Sequence, residues 1–506
     1  MKKIFFLFLV VFTIKLSFAE ENFNNTMSIG IFDSKNRIRI LRPCLITEEK
    51  TVEATLQDKI DQMDYLLETQ EIIDKTTQNN TLSETTNTPT KKVYSNYINE
   101  HNSTLFYDVY NKVIDNLDIL NLFFTDYDYN SCSNIMNFNA DSKFNDISDY
   151  IFSEELEENY DYVVSADIQI VDEYKIKFEV FVWDLIDKRF LGGKYYIIDV
   201  ITSNTNKIAN LMSDFIFQTI TGESGGLFDS KIMYIAETGN VKNRKKQVAI
   251  MNFDGSKNTK ITHGNNMKLT PIFSKYNKDE IFYLEYLIDG AYIIKHNLHT
   301  NQMSKISTDK LTMTSAATFN PNGKNQLIVS GSEDGGGTNL YLFDLDNKVN
   351  KKITKNKNIN TSASFNPDGT EIVYVSDKSG ARRIYKKSIN SNNEEQISSG
   401  SGIHDKPSWS PDGRLIAFIK IVKGKFGLYI MTHTGDGERL LTSGYLIEGV
   451  KWSPNSRYVI YTKQVAPFGK GSIPKIYVMD ILTRHEYQLN TPENEGASDP
   501  DWIMNF

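Results

Sequence analysis

An aromatic residue followed by a tight turn recurs along the second half of this chain: Phe319-Asn-Pro-Asn-Gly, Phe365-Asn-Pro-Asp-Gly, Trp409-Ser-Pro-Asp-Gly and Trp452-Ser-Pro-Asn-Ser, with a worn copy at Phe273-Ser-Lys-Tyr-Asn. The aromatics are spaced 46, 46, 44 and 43 residues apart. Proline presets φ at the second turn position, and Asp-Gly or Asn-Gly supplies a hydrogen-bonding side chain and a permissive backbone. Each turn leads into a short alternating strand, over 280–284, 326–330, 371–376, 415–419 and 458–463. A second strand follows with a Tyr near its start, as in Leu340-Tyr341, Ile384-Tyr385, Leu428-Tyr429 and Ile476-Tyr477. A closing pair ends each unit: Ile261-Thr262, Ile306-Ser307, Ile353-Thr354, Ile397-Ser398, Leu441-Thr442 and Leu489-Asn490.

Four short strands per repeat of this length predict propeller blades, because a lone four-stranded sheet must bury both faces against radially arranged neighbours. A β-sandwich or an open array of hairpins lacks so regular a register. The Gly-His and Trp-Asp marks of WD40 blades and the Gly-Gly pairs of kelch blades are missing from the expected places. The first closing pair precedes the first anchor, and the last aromatic, Trp502 in Ser-Asp-Pro-Asp-Trp, follows the last closing pair. The repeat region thus starts and stops within a blade. The strand around Trp502 is expected to complete the blade begun at 230–253, beside 232–235, so that six blades close into a ring with no free edge there.

Residues 27–222 change period several times and read as a small α/β domain, with strands at 28–32, 38–46, 162–171, 175–185 and 189–200. Leu105, Val109, Val113, Leu117 and Leu120 fit one amphipathic helix, and Ile208, Leu211, Met212, Phe215 and Ile216 fit another over 205–221. An insertion at about 48–101 combines a helical pattern (Val52, Leu56, Ile60, Met63, Leu67) with a polar stretch, 76–92, that reads as a flexible loop. The organisation is therefore 1–19 leader, 20–225 α/β domain and 229–506 six-bladed propeller. The leader is a signal peptide: Lys2 and Lys3, an apolar run of 11 residues from Ile4 to Ile14, and Ser17-Phe18-Ala19 before the cut. Lys15 interrupts that pattern and leaves a retained anchor as the alternative. No later run reaches the length of a membrane span, and no cysteine follows the cut to carry a lipid.

A net charge of −8 with scattered Lys and Arg gives no footprint for nucleic acid. Cys44 and Cys132 are the two cysteines, either bridged or free. Gly222-Glu-Ser-Gly-Gly matches the nucleophile-elbow pattern, but a helix is predicted before it and a strand after, the reverse of what the elbow needs. Asp126-x-Asp128-x-Asn130 imitates a calcium loop but has Ser131 at the sixth position and Asn137 at the twelfth. Gly335-Gly336-Gly337 reads as a hairpin tip. Neither a metal nor a cofactor site is expected, and no catalytic residue. The loops just before the anchors should open on one end of the channel, giving Met313, Thr314, Asn360, Thr361, His404, Asp405 and Glu448 as candidates for partner contact. His404 and Asp405 are neighbours on a strand, whose side chains face opposite ways.

The repeat, with its anchor turn, its alternating strand, its Ile-Tyr pair and its closing Ile-Thr, resembles the blade of the TolB family. The order of leader, α/β domain, the junction Phe217-Gln-Thr-Ile-Thr-Gly222, six blades and a final Asp-Pro-Asp-Trp is similar to that family over nearly the whole mature length. The resemblance implies a monomeric periplasmic scaffold of the Tol-Pal system without catalysis. It would bind the lipoprotein Pal on the propeller and TolA through the N-terminal segment, supporting outer-membrane integrity and invagination during cell division. In this sequence that segment is about 21–35, where Met27, Ile29, Ile31 and Asp33 alternate as a strand able to join a partner's sheet. The same residues read equally as the domain's own first strand. The insertion at 48–101 and the worn turn after Phe273 depart from the family pattern. An exported hydrolase or lyase with its site in the channel, and a carbohydrate- or peptidoglycan-binding propeller, are the alternatives.

Overall fold

The computed structural model describes residues 36–41, 44–45, 108–120, 122–128, 156, 159–172, 175–199, 205–223, 225–240, 243–306, 311, 313–333, 335–467 and 473–504. The leader, the segment 21–35 with Met27, Ile29, Ile31 and Asp33, the insertion at 48–101 and Cys132 lie outside the described residues.

The N-terminal domain is a mixed sheet in the order Phe123–Asp128, Asn36–Leu41, Tyr162–Asp172, Lys175–Asp184, Arg189–Asp199, with Cys44–Leu45 also paired to Tyr162–Asp172. Asn36–Leu41 runs parallel to both its neighbours, and the last three strands are antiparallel hairpins. Of the strand expected over 38–46, the described residues form Asn36–Leu41 and Cys44–Leu45. Phe123–Asp128 was not foreseen. It places Asp126 and Asp128 in a parallel strand, so the calcium-loop resemblance falls on extended backbone instead. Helix α1 (108–119) and helix α2 (Thr205–Thr221) bury the stripes read from the sequence: Val109, Val113, Leu117 and Leu120 from one, Ile208, Met212 and Ile216 from the other. These pack on Val164, Phe178, Val180 and Val182 of the sheet. Asn116 is buried between the helices and donates to Asn210 Oδ1 (2.8 Å) and Ser213 Oγ (3.1 Å), which fixes their rotation about each other.

The second half forms six four-stranded antiparallel sheets. Sheet I combines Ser230–Thr238, Lys245–Asn252 and Thr259–Lys260 with Gly496–Met504 from the far end of the chain. Sheets II to VI are each a continuous run of chain, beginning at Lys268, Met313, Asn360, Ile403 and Leu446. The pairing of Gly496–Met504 with Ser230–Thr238 sets Trp502 opposite Ile232, the register expected from the offset of the motifs. Trp502 stacks on Phe253 at 5.4 Å and donates its indole N–H to Ser230 Oγ at 2.7 Å. Toward the other end of the same strand, the buried Glu237 accepts from Ser498 Oγ (2.6 Å) and pairs with Lys246 (2.8 Å) and Arg244 (3.2 Å).

The closing pairs have a specific job. In sheet III the Ile353 N–H donates to Leu340 O (2.8 Å), while the Leu340 N–H donates to Thr354 Oγ1 (2.9 Å). Ile397-Ser398 grips Ile384 in the same way, at 2.9 and 2.8 Å, and Ile261-Thr262 grips Val248 at 2.8 and 2.9 Å. One apolar residue of the third strand is thus satisfied at both its backbone groups by the two residues that directly follow the fourth, which explains why the pair is Ile followed by a hydroxyl. The residue after each anchor folds back on its turn: Ser410 Oγ receives the Leu415 N–H (2.9 Å), and Asn366 Oδ1 receives those of Thr370 and Glu371 (both 2.9 Å).

The N-terminal domain sits against the end of the sheets that carries these anchor turns. Arg457, in the turn of sheet VI, pairs with Glu223 at 3.4 Å, and Lys112 of α1 pairs with Asp254 in a turn of sheet I. Between them Phe217, Phe228 and Phe253 meet edge to face. The glycine segment after α2 is a linker: α2 precedes it and the strand Ser230–Thr238 follows, as the sequence reading required. Asp214 of α2 accepts the backbone N–H groups of Leu227 (2.7 Å), Phe228 (3.1 Å) and Asp229 (3.3 Å), so the linker's end is pinned to the helix. Burial raises the Asp214 carboxyl above its ordinary value, and those hydrogen bonds oppose the rise.

Candidate functional site

The first strands of the six sheets lie next to one another around an axis, and each is interrupted by a bulge or register shift shortly before its anchor aromatic. In five of them a left-handed residue stands three positions before the aromatic: Thr270 (φ 45°), Ser362 (54°), Lys406 (47°), Gly449 (63°) and Asp499 (48°). A bulge adds a residue to one strand and turns it more sharply, which bends these strands about the axis. The bulged backbones enclose a cavity of about 80 Å³ lined from all six first strands. That is well below the several hundred Å³ of sites that bury a small organic ligand.

Charged side chains line the axis, among them Lys406, Lys451 and Asp499. Lys406 Nζ lies 3.7 Å from Asp499 Oδ1. Burial would depress the Lys406 ammonium, but Asp499, Glu448 and Asp405 together hold it above the usual lysine value. Asp499 also takes the Thr270 N–H (3.4 Å), and Asp501 takes that of Phe273 (2.8 Å), so the C-terminal strand is tied to sheet II. Burial lowers the ammonium of Lys275, against the pull of Asp501.

Met313, Asn360, Thr361, His404, Asp405 and Glu448 stand within the first strands and not in loops, as does Thr314; the strands start earlier than expected because the ladder resumes beyond each bulge. The side chains of Met313 and Thr314 lie outside the described ones. Asn360 is fully buried, giving its amide to Thr338 O (2.9 Å) and Asn356 Oδ1 (2.7 Å). His404 is fully buried too, stacked on Phe418, with Nε2 3.4 Å from Glu438 and Nδ1 3.5 Å from Arg383. Burial and the nearby Lys420 bring the imidazole down to about 4, against Glu438. Asp405 pairs instead with Arg382 at 3.1 Å. His404 and Asp405 therefore have separate partners and do not converge. Thr361 and Glu448 are half-buried.

Sequence reasoning missed the surface around these strands. Met267, Ile359, Ile403 and Tyr445 are exposed where one sheet passes to the next, and Tyr286, Ile288 and Val465 are exposed at or beside the second hairpins. All lie at one end of the sheets: the Tyr286 N–H donates to Met267 O and the Tyr445 N–H to Gln464 O, both at 3.0 Å. This apolar rim faces away from the end held by the N-terminal domain. The available signal was an apolar residue in four of the inter-sheet connections, where polar turn residues are the norm.

Radial four-stranded sheets around a narrow axis define a β-propeller joined to a small α/β domain. A family model described as the TolB beta propeller domain matches residues 217–505, and the chain belongs to that family. The Tol-Pal system protein TolB of Rickettsia bellii, in strains OSU 85-389 and RML369-C, is 34% identical over 171 residues, which is 34% of this chain and 37% of the relative. The match thus spans little more than a third of the length of these curated relatives. TolB from Acinetobacter baumannii superimposes with a TM-score of 0.61 at 22% identity, over 69% of this chain and 85% of that one, and shares the fold.

Proposed function

We propose that this chain is a non-enzymatic scaffold of a periplasmic Tol-Pal system, built as a 20–225 α/β domain and a closed six-bladed ring over 229–506. Its propeller holds a Pal-like lipoprotein, and its N-terminal segment engages a TolA-like protein, in support of outer-membrane integrity during division. The apolar rim carries the reading. It surrounds the rim ends of the strands with Met313, Thr314, Thr361, Asp405 and Glu448, while the other end is taken by the N-terminal domain. An exposed apolar patch with polar groups among it is what a protein partner fits. The axis is too narrow for an organic substrate, and Lys406 within it is matched by Asp499. Export follows from the leader at 1–19; among the described residues no helix is long and apolar enough to cross a membrane.

Titration of the full chain with the soluble domain of a Pal-like lipoprotein tests this. Binding is expected, with the affinity of Tyr445→Asp and Ile288→Asp lowered by at least about tenfold, the scale of an interface anchor. Removal of 21–35 should leave that binding intact and abolish capture of the TolA-like protein. No binding of Pal, or binding indifferent to the rim variants, would overturn the reading.

A further inference from the structure

A groove of about 430 Å³ lies between the outer parts of sheets I and II, on the flank of the propeller and away from its axis. Lys231, Lys257 and Lys260 line it, and no carboxylate does among the described residues. Lys260 is held by Glu495 Oε1 at 2.5 Å, whereas Lys231 and Lys257 have no ion pair among the described residues. The groove therefore presents uncompensated positive charge over a volume that suits a small ligand. Part of its lining is apolar, from Ile250, Ile261 and Leu298. Thr259 and Asn301 add hydrogen-bonding capacity beside the buried His296. Its Nε2 meets Asn301 Oδ1 at 2.8 Å, which puts the proton on Nε2, and Nδ1 is an acceptor without a partner among the described residues.

We propose that this groove binds a small organic anion: a phosphate or carboxylate seated between Lys231 and Lys257, on a hydroxylated body of about one sugar ring resting on Ile250, Ile261 and Leu298. Two lysines favour either anionic head, the apolar lining favours a carbon body over a bare ion, and Thr259 and Asn301 in the lining offer partners to its hydroxyls. The site is independent of partner docking at the rim, so either reading can fail without the other.

Isothermal titration of the full chain tests it with glucose 6-phosphate, glucuronate, glucose and inorganic phosphate. One or both sugar anions should bind, the stronger of the two identifying the preferred head, and glucose should not. Affinity should fall by about tenfold or more in the double variant Lys231→Gln/Lys257→Gln, which removes two charge-assisted contacts. It should also weaken as salt rises, because exposed charges are screened. The single variant Lys257→Glu, at an exposed position, gives the same readout if the double variant folds poorly. No binding of either sugar anion, binding unchanged by the lysine variants, or inorganic phosphate binding as tightly as glucose 6-phosphate would overturn the proposal.

Discussion

Two glycines at the same place in the repeat, Gly323 and Gly369, should respond very differently to alanine. Both close an anchor turn with positive φ, 77° and 65°. A left-handed L-residue costs roughly 1–2 kcal/mol, and the lower unfolded-state entropy of alanine returns about 0.4–1 kcal/mol. Gly323→Ala adds a methyl with nothing within 4 Å, so its cost should stay near 1 kcal/mol. At Gly369 the same methyl would sit 1.8 Å from Asn320 Oδ1, in the turn of the neighbouring sheet. Asn320 is fully buried, donates to Gly369 O (3.3 Å) and Gln326 Oε1 (3.2 Å), and accepts the Asn322 N–H (3.2 Å). Pushing it aside breaks contacts worth about 1 kcal/mol each, so Gly369→Ala should cost roughly 3–4 kcal/mol in all. Urea unfolding followed by tryptophan fluorescence measures both. Equal costs for the two variants would refute the claim that these turns interlock from sheet to sheet.

His404, neutral and buried, gives stability that is full above about pH 6.5, falls as pH drops, and is gone below about pH 4, since only the unfolded chain takes up the proton between those values. His404→Gln should flatten that part of the stability–pH curve by up to about 3 kcal/mol, read from urea midpoints at pH 7 and pH 4.5. Glu237→Ala should cost about 2 kcal/mol by removing the carboxylate that Lys246 and Arg244 share, and limited proteolysis should then trim the chain's C-terminal strand first. Asp214→Asn keeps one acceptor for the linker but loses the charge; since burial has already raised that carboxyl, the loss should be under about 1 kcal/mol in thermal unfolding.

The repeat was readable because each of its marks answers a local need. Proline and glycine serve a turn, and an Ile with a following hydroxyl serves the two backbone groups of one facing residue. The placement of Trp502 beside Ile232 followed from the order of those marks alone. The bulges were not readable: Thr270, Ser362, Lys406 and Asp499 take left-handed backbone without being glycine or, save for Asp499, a residue type that favours it, and only packing around the axis imposes it. The parallel strand Phe123–Asp128 escaped notice because its partner, Asn36–Leu41, lies far earlier in the chain. Burial of Asn360 and His404 depends on neighbouring strands, which no local pattern reports.

Sheet I draws three strands from the start of the repeat region and its remaining strand from 496–504. During synthesis from the N-terminus those three strands exist long before their partner does, and Ser230–Thr238 waits with its edge open. Contacts of such long sequence separation form late and slowly. The sheet therefore acts as a test of completeness: a chain cut short anywhere before Gly496 keeps that edge unpaired, together with the apolar seat of Trp502, and is marked for aggregation or proteolysis.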